Sequence, residues 1–454
     1  MDAANTMRKR PLSVRTRHSG AASAMAEDGE SLGEPVSPSA RLVEEYYIIV
    51  IIGFAAPVNQ STGGTAIGAK IASSPRFQSI RATDKDGTLR WVRTTVDLDY
   101  HVIYPKLDTV DVEVNPDLAV EDYVASLSTK PMDHSRPLWE FHILDFPTSE
   151  ATATAVMRVH HSLSDGISLL MLLLYCAQSA ADPSRPPVLP PLPARTGALY
   201  VQPRPPLSVG SLAFAKWLWS FVLLAWYTMW DAASFVCTIL FWKDTHTLFT
   251  RKDNTNRRQK RIVHRGLSLD DVKFIKDAMN CECVSMIQSG KGNDVKWGNQ
   301  LGFIILPVQI AMHRDPLDYV RKAKNTTGRK KSSLEVAFIH VVAEVFFKVF
   351  GRKAGAYIIH RLFSNTTMML SNMIGPAEQV ELCGHPVVFI APSQYGLPQA
   401  INVNFKSYVN IVRVVLAMDE AQFPHGHELL DDFVDSLRRI KDAAEKLGKH
   451  ERKA

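Results

Sequence analysis

A proline-rich stretch in the middle of the chain divides it into two parts that can each fold. Nine prolines fall between Pro183 and Pro206, and proline has a fixed φ and no backbone N–H, so this stretch forms neither a helix nor a central strand. The chain of 454 residues also exceeds what one core usually organises. The sequence predicts an N-terminal lobe over residues 34–182, a connecting region over 183–265 and a C-terminal lobe over 266–454.

Both lobes combine strand and helix patterns, so the predicted fold class is α/β. In the first lobe, the apolar run Ile167–Ala181 predicts a buried helix. The strand and turn signals of this lobe are Ile48–Ile52, Asp86-Gly87, Trp139–Phe146 and Thr152–Val159.

In the second lobe, Ser268 precedes two aspartates and an amphipathic run, which predicts a capped helix to about Met279. Glu428–Lys446 predicts a closing amphipathic helix. Strand-like runs in this lobe are Leu301–Val308, Thr366–Leu370, Val387–Ile390 and Val409–Ala417.

The N-terminal 33 residues contain basic residues among Ser, Ala and Gly, with almost no bulky apolar side chain before Val43. This composition predicts a disordered basic arm, and a transit peptide is the alternative interpretation. The arm has no secretory apolar segment.

The segment Leu212–Trp242 has only Lys216 and Asp231 as charged residues and contains five of the eight tryptophans. It is long enough to cross a bilayer, and Asp231 is the feature that opposes crossing. Clustered tryptophan is typical of membrane interfaces. The sequence predicts membrane association, with a spanning helix and a helix lying in the membrane plane both open and spanning slightly favoured.

The net charge of +6 is concentrated between Arg251 and Arg265, where seven basic residues accompany one aspartate. Next to the apolar segment, this polybasic stretch fits anionic lipid headgroups. No motif or aromatic platform nearby indicates nucleic-acid binding. The five cysteines are odd in number and scattered, which favours a reducing compartment. Cys281-Glu282-Cys283 lacks the second ligand pair of a zinc site, so we expect no bound metal.

The segment with the clearest chemistry is His160-His161-Ser162-Leu163-Ser164-Asp165-Gly166, which follows a predicted strand and precedes the buried helix. A neutral imidazole within hydrogen-bond reach of a hydroxyl can remove its proton. Adjacent strand residues point to opposite faces, so one of the two histidines is the candidate base. Asp165 can accept a hydrogen bond from an imidazole, or cap the helix and pair with an arginine. Gly166 permits a sharp turn.

This segment resembles the HHxxxDG signature of the superfamily that includes chloramphenicol acetyltransferase, peptide-synthetase condensation domains and wax ester synthase/diacylglycerol acyltransferases. Pro137-Leu138-Trp139 resembles the PLW motif of the last group, and Ser371-Asn372-Met373-Ile374-Gly375-Pro376 resembles its SNxxGP motif. Glu34–Pro38, Trp297–Asn299 and Asn402–Val415 are similar to the plant, bifunctional branch.

The resemblance implies two chloramphenicol-acetyltransferase-like lobes with a tunnel between them. His161 would be the general base that deprotonates a fatty alcohol or diacylglycerol, and acyl-CoA would be a substrate, with no cofactor. His160 would support the base, while Asp165 would hold the turn and pair with an arginine. Pro137, Leu138, Trp139, Ser371 and Asn372 would shape the tunnel.

The same resemblance implies a location on the endoplasmic reticulum membrane with both lobes facing the cytosol. The plasma membrane is the alternative location. The basic segment after Trp242 also favours the cytosol for the C-terminal side.

The sequence departs from the family pattern between Asn280 and Trp297. Relatives carry several tens of residues there, including a T-x-N-D motif and strands of the second lobe, whereas this chain passes through Cys281–Ile287 almost directly to Trp297. We therefore expect an incomplete second lobe. A catalytically impaired form acting as a membrane-bound partner of an intact relative is the alternative function.

Overall fold

The computed structural model describes residues 33–37, 40, 46–59, 63–187, 189–190, 211–252, 259–279, 304–307, 311–331 and 333–451. Predictions for residues 1–32, for most of the proline-rich stretch and for the departure at 280–297 lie outside the described residues. The chain divides into two compact units. Of the described residues, unit 1 holds those up to Pro187 together with Glu378–Gly396, and unit 2 holds the rest.

The described strands are β1 (Tyr47–Phe54), β2 (Ser79–Thr83), β3 (Leu89–Arg93), β4 (Val102–Ile103), β5 (Trp139–Leu144), β6 (Ala153–His160), β7 (Ala177–Ser179), β8 (Lys260–Ser268), β9 (Met368–Met373), β10 (Val380–Leu382), β11 (His385–Tyr395), β12 (Ile401–Tyr408) and β13 (Ile411–Asp419). The described helices are α1 (Thr65–Ala72), α2 (Leu98–His101), α3 (Thr109–Val114), α4 (Pro116–Leu127), α5 (Gly166–Cys176), α6 (Ser211–Leu240), α7 (Leu269–Ala278), α8 (Leu317–Lys331), α9 (Glu335–Ser364) and α10 (Gly426–Glu451).

Unit 1 is built on a sheet with the strand order β4-β5-β6-β1-β11-β10-β7. Strand β1 lies near the centre of this sheet, and all eight of its residues are buried, as its β-branched composition favours. It pairs antiparallel with β6 on one side and with β11 on the other. Gly53 is required in β1, because a side chain there would collide with the ring of Phe389 on β11. The core of unit 1 therefore surrounds β1 and β6.

The boundary between the units differs from the predicted lobe boundary. Residues Glu378–Gly396, predicted to belong to the second lobe, are part of unit 1. The physical reason is that β11 fills the position beside β1, pairing from Tyr395 opposite Tyr47 to Val387 opposite Phe54. The predicted strand Val387–Ile390 exists, but it belongs to the sheet of the other unit.

The predicted buried helix is shorter than its apolar run. Helix α5 ends at Cys176, and the next residues form the short strand β7, which pairs with β10 from Val380 to Leu382. In this strand Ala177 and Ser179 are buried and Gln178 is exposed, which is the alternation of a strand. Pairing with β10 therefore overrides the helix pattern.

Unit 2 contains a second sheet with the order β8-β13-β12-β9, in which β12 and β9 are parallel and the other pairs are antiparallel. Its core packs one face of this sheet against α10 through Leu430. Ser268 caps α7 by accepting a hydrogen bond from the Asp271 backbone N–H, as predicted. Residues 304–307, part of a predicted strand, have no regular secondary structure.

Two helices of unit 2 were not predicted from the sequence. Helix α8 is strongly basic, and the apolar residues of α9 do not concentrate on one face, so α9 has no amphipathic period. Within α9, Gly351 adopts a left-handed φ of 76°, so that two helical arms meet at this residue.

Candidate active site

The histidine pair lies where β6 gives way to α5. All residues of β6 are buried, and the strand ends at His160, so His161 already belongs to the turn. Because the strand has ended, the two side chains need not follow the strict alternation of a strand. Helix α5 then begins at Gly166 with Asp165 as its N-cap. The predicted strand, sharp turn and helix N-terminus are therefore present.

His160 is fully buried and held within unit 1. Its backbone N–H donates to the carbonyl of Leu138, the residue before β5 (3.0 Å), and its Nδ1 accepts a hydrogen bond from the Ser162 backbone N–H (3.1 Å). The Ser162 hydroxyl lies 2.7 Å from the same Nδ1. The Tyr47 ring packs edge-on against the imidazole. An Nδ1 that accepts from a backbone N–H carries no proton, which fixes the tautomer of His160.

His161 is buried in the turn, with its backbone N–H bonded to the Tyr46 carbonyl (2.7 Å). Burial lowers the pKa of its imidazole, and this effect outweighs a hydrogen bond to its own backbone carbonyl and the charge of Asp165, both of which raise the pKa. His161 is therefore neutral at pH 7. A ring nitrogen that donates to the carbonyl leaves the other ring nitrogen as an acceptor.

Asp165 caps α5. Its carboxylate accepts a hydrogen bond of 2.7 Å from the Ser168 backbone N–H, which satisfies one of the free donors of the first turn. The negative charge also lies at the positive end of the helix dipole. Asp165 therefore holds the N-terminus of α5, while its structural role at the site and its pairing with an arginine stay predictions.

A charged network behind the histidines was missed in the sequence. On β5 and β6, Glu140 forms an ion pair with Arg158 (3.0 Å) and lies 3.1 Å from His142 Nε2. Burial raises the pKa of Glu140, but the His142 hydrogen bond and the Arg158 charge together outweigh it and lower the pKa. Arg158 also lies over the Tyr47 ring. This network ties β5 to β6 just before the histidine turn, and only strand pairing could have revealed it.

The PLW motif supports the same turn from the neighbouring strand. Pro137, Leu138 and Trp139 are buried, and the Trp139 indole N–H donates to the Phe77 carbonyl (2.9 Å). Its ring stacks on His101. These contacts assign Trp139 to the packing of unit 1, while tunnel lining by this motif stays a prediction.

The SNxxGP motif belongs to unit 2. Ser371 and Asn372 lie on β9 and pair in register with Asn404 and Phe405 of β12. Gly375 packs so closely on the Ser407 carbonyl that a side chain there would collide with it, which explains the glycine.

Lys406 extends towards the SNxxGP segment from β12. Its Nζ donates to the Ile374 carbonyl (3.4 Å), and burial lowers its pKa to about 7. No signal in the sequence indicated this buried lysine, because a lone lysine in a strand is usually exposed.

Within the described part of the chain, no group of three or more His, Cys, Asp or Glu side chains is placed to hold a metal ion. The arrangement at the end of β6 offers one neutral base, a helix N-terminus and a buried environment. Such a site suits proton removal from a hydroxyl nucleophile.

Solved structures with the same fold define the class. Over 91% of this chain, it matches the first condensation domain of the CDA synthetase (96% of that chain, TM-score 0.57, 11% identity). It also matches a wax ester synthase/diacylglycerol acyltransferase from Marinobacter aquaeolei VT8 (100% of that chain, TM-score 0.54, 16% identity). The fold is therefore the chloramphenicol-acetyltransferase-like α/β fold of two lobes.

The family follows from sequence comparison. Residues 69–286 match the wax ester synthase/diacylglycerol acyltransferase catalytic domain, and residues 297–441 match the WS/DGAT C-terminal domain. Wax ester synthase/diacylglycerol acyltransferase 5 of Arabidopsis thaliana is 34% identical, with 94% of this chain and 97% of the relative covered. Wax ester synthase/diacylglycerol acyltransferase 4 of the same plant is also 34% identical, with 91% of this chain and 91% of that relative covered. The chain belongs to the wax ester synthase/diacylglycerol acyltransferase family.

The alignment with the first of these relatives extends over 502 positions, more than the 454 residues of this chain. The relative therefore has residues with no counterpart here. The two domain matches leave residues 287–296 between them, within the region of the predicted departure.

Proposed function

We propose that this chain transfers an acyl group from acyl-CoA to the hydroxyl of a long-chain fatty alcohol, forming a wax ester. Diacylglycerol is the second acceptor and gives triacylglycerol. The observation that carries the proposal is the buried, neutral His161 at the turn between β6 and α5, within the residues that match the catalytic domain. The names of the relatives supply the two product classes.

In the proposed reaction, the ring nitrogen of His161 that carries no hydrogen accepts the hydroxyl proton as the oxygen attacks the thioester carbonyl. The C–O bond forms, the tetrahedral intermediate collapses, and the C–S bond breaks. Coenzyme A leaves as a thiolate that takes the proton from His161, which restores the neutral base. The reaction is neither oxidation nor reduction, and acyl-CoA is a substrate, so no cofactor is needed.

In this proposal the other site residues hold His161 and the substrates in position. Asp165 holds the turn through the cap on α5, and Gly166 begins the helix directly after it. His160, locked by Ser162, positions the residue that follows it. We assign Pro137, Leu138, Trp139, Ser371 and Asn372 to the walls of the substrate tunnel, with the buried packing of Trp139 supporting an indirect role.

Membrane association is part of the proposal, because both acceptors are lipids. Leu212–Leu240 is long and apolar enough to cross a membrane, and 22% of its most apolar window is buried. A core helix of a water-soluble protein would be mostly buried. We place the chain at the endoplasmic reticulum membrane with its active units on the cytosolic side, and the plasma membrane is the alternative location.

The non-enzymatic alternative is not favoured, because the catalytic-domain match includes the whole HHxxxDG segment. The residues absent relative to the curated relatives bear on the rate of the reaction. A tunnel that lacks part of its wall positions substrates less well, and small displacements of reacting groups cost large factors in rate.

The test is ester formation by purified chain in detergent with labelled palmitoyl-CoA and either hexadecanol or diacylglycerol. We expect His161→Ala to lower turnover by about 100-fold to 10,000-fold, the usual range for loss of a general base. His160→Ala, which removes a buried but non-reacting imidazole, is the matched control and should cost less. Equal losses in two variants with unchanged thermal unfolding would refute the assignment of His161 as the base.

A further inference from the structure

The connectivity of the two sheets restricts how α6 can meet a membrane. In unit 1, β7 pairs with β10 and β10 with β11, and in unit 2, β8 pairs with β13 and β13 with β12. Only residues 396–400 join β11 to β12. Five residues reach at most about 18 Å, which is less than the roughly 30 Å of a bilayer core. Strands β7 and β8 therefore lie on the same side of any membrane.

The chain from β7 to β8 must consequently cross the bilayer an even number of times. Among the described residues of that stretch, α6 is the candidate for a crossing. The sequence of residues 191–210 contains Arg195, Arg204 and several prolines, and 253–258 is short and polar, so neither supplies a second crossing. A single crossing by α6 would separate strands that belong to connected sheets.

One face of α6 is committed to packing inside unit 2. Leu224, Asp231, Phe235 and Ile239 are its buried residues. Asp231 forms ion pairs with Lys330 (2.9 Å) and Arg329 (3.0 Å) at the end of the basic helix α8. Lys330 also bonds Glu335, the first residue of α9 (2.8 Å). Asp231, which opposed a membrane crossing in the sequence, is thus paired with cationic side chains within unit 2.

The opposite face of α6 is an exposed apolar stripe. Val222, Trp226, Met229, Val236 and Leu240 recur at helical spacing and are each more than a third exposed. Trp226 is 56% exposed. Such a helix, apolar on one face and packed on the other, fits a membrane interface when it lies in the plane.

Helix α9 folds back on itself. Ile339 in its first arm and Leu362 in its second lie in one cluster with Phe235 and Ile239 of α6. A straight helix would separate Ile339 and Leu362 by about 35 Å. The break at Gly351 brings them together, and Arg361 fastens the second arm by donating to the Ile239 carbonyl (2.6 Å). The two arms form a helical hairpin, Glu335–Ser364, with its tip at Gly351.

The tip of this helical hairpin is apolar and exposed, with basic residues beside it. Val345, Val349 and Phe350 are exposed, with Phe350 at 63%. Arg352 and Lys353 follow directly in the sequence, and Lys353 is exposed. An apolar tip flanked by positive charge complements a leaflet with anionic headgroups.

A groove of about 470 Å³ lies between α6 and the start of α9. Its lining is almost wholly apolar and includes Phe221, Leu224, Met229, Leu334 and Phe338. Its size falls in the range of sites that take small apolar molecules. Lipid acyl chains would fill it when the surrounding face is embedded.

We propose that α6 and the tip of the helical hairpin Glu335–Ser364 form one docking surface that enters a single leaflet of an anionic membrane without crossing it. The inference rests on the membrane association in the proposed function and specifies its mode. The sequence slightly favoured a membrane-spanning helix, whereas this inference has α6 lying in the membrane plane and the tip of the helical hairpin inserted into the leaflet.

The first test places epitope tags at both ends of the full chain and treats sealed microsomes with protease. Both tags should be digested, since both ends lie on the outer side. Protection of one tag would show a single crossing by α6 and overturn the inference. Wild-type chain that never sediments with microsomes would instead refute the membrane association on which the inference rests.

The second test measures flotation of the full chain with vesicles of phosphatidylcholine and phosphatidylserine. Trp226→Glu and Phe350→Glu should each lower the bound fraction by about tenfold or more, because each replaces an embedded aromatic ring by a charge. Val114→Glu, at an 80% exposed position on α3 of unit 1, is the matched control and should bind like wild type.

Equal binding by all three variants would refute the docking surface. A discrete dimer that both glutamate variants dissociate, with wild type absent from vesicles, would assign the face to a second copy and also refute it. Ester formation from detergent-dispersed substrates is measured separately. A chain that floats but makes no ester contradicts only the proposed reaction.

Discussion

Substitutions of Asp165 can distinguish a structural role from a chemical role of this residue at the candidate site. Its carboxylate accepts a 2.7 Å hydrogen bond from the Ser168 backbone N–H, and its charge raises the pKa of His161. The substitution Asp165→Asn would keep the cap, because Asn is as good an N-cap as Asp, but would remove the charge. Asp165→Ala would remove both. The two substitutions therefore separate the hydrogen bond from the charge.

The cap sets the expected stability loss. Replacing an N-cap Asp by Ala costs about 0.5–2 kcal/mol, and Asn should cost only about 0.3–1 kcal/mol of dipole interaction. A loss of about 1 kcal/mol lowers Tm by about 2–4 °C in a domain of the size of these units. Asp165→Ala should therefore unfold several degrees below wild type, and Asp165→Asn close to it.

The assay combines thermal unfolding with the pH dependence of ester formation. In both variants the pKa of His161 should fall further, so the acid limb of the kcat/KM profile moves to lower pH while turnover at pH 8 stays near wild type in Asp165→Asn. If Asp165→Asn lost as much turnover as His161→Ala while unfolding at the wild-type temperature, Asp165 would have a direct part in proton transfer and the structural role would be refuted.

Four further outcomes are expected. Because burial lowers the pKa of His161 beneath its ordinary 6.5, the wild-type kcat/KM should fall only below that pH, and an acid limb above pH 7 would contradict a neutral buried base. Burial lowers the pKa of Lys406 from 10.5 to about 7, so between these pH values the unfolded chain binds more protons than the folded chain, and the wild type gains stability as pH rises. Lys406→Met removes this burial cost, so the rise in Tm that it causes should be largest at or below pH 7 and smaller at pH 9. Gly375→Ala should destabilise by about 1–3 kcal/mol through its clash with Ser407, whereas Gly328→Ala in open space on α8 should not, and equal Tm values would disprove the clash. Grafting the relative's segment between Asn280 and Trp297 should raise ester formation, and unchanged turnover would show that the segment is dispensable.

Local signals in the sequence were sufficient for the elements that surround the candidate base. The strand that ends at His160, the turn and the start of helix α5 depend on neighbouring residues, and all three are present. The same holds for Ser268 and α7. The network of Glu140, Arg158 and His142 could not be predicted, because it forms only when β5 pairs with β6.

The sequence by itself determined the α/β class, the apolar helix α6, the histidine turn and the family motifs, since each rests on composition or spacing within a short segment. Tertiary structure decided the partners of those segments. Strand β11 completes the sheet around β1, although it lies far along the chain, because several buried strands have similar apolar patterns and only packing selects among them. The fold-back of α9 depends on one left-handed glycine and on contacts with α6. Whether an apolar helix can cross a bilayer likewise depends on which strands are joined on either side of it, and hydropathy carries no information about that pairing.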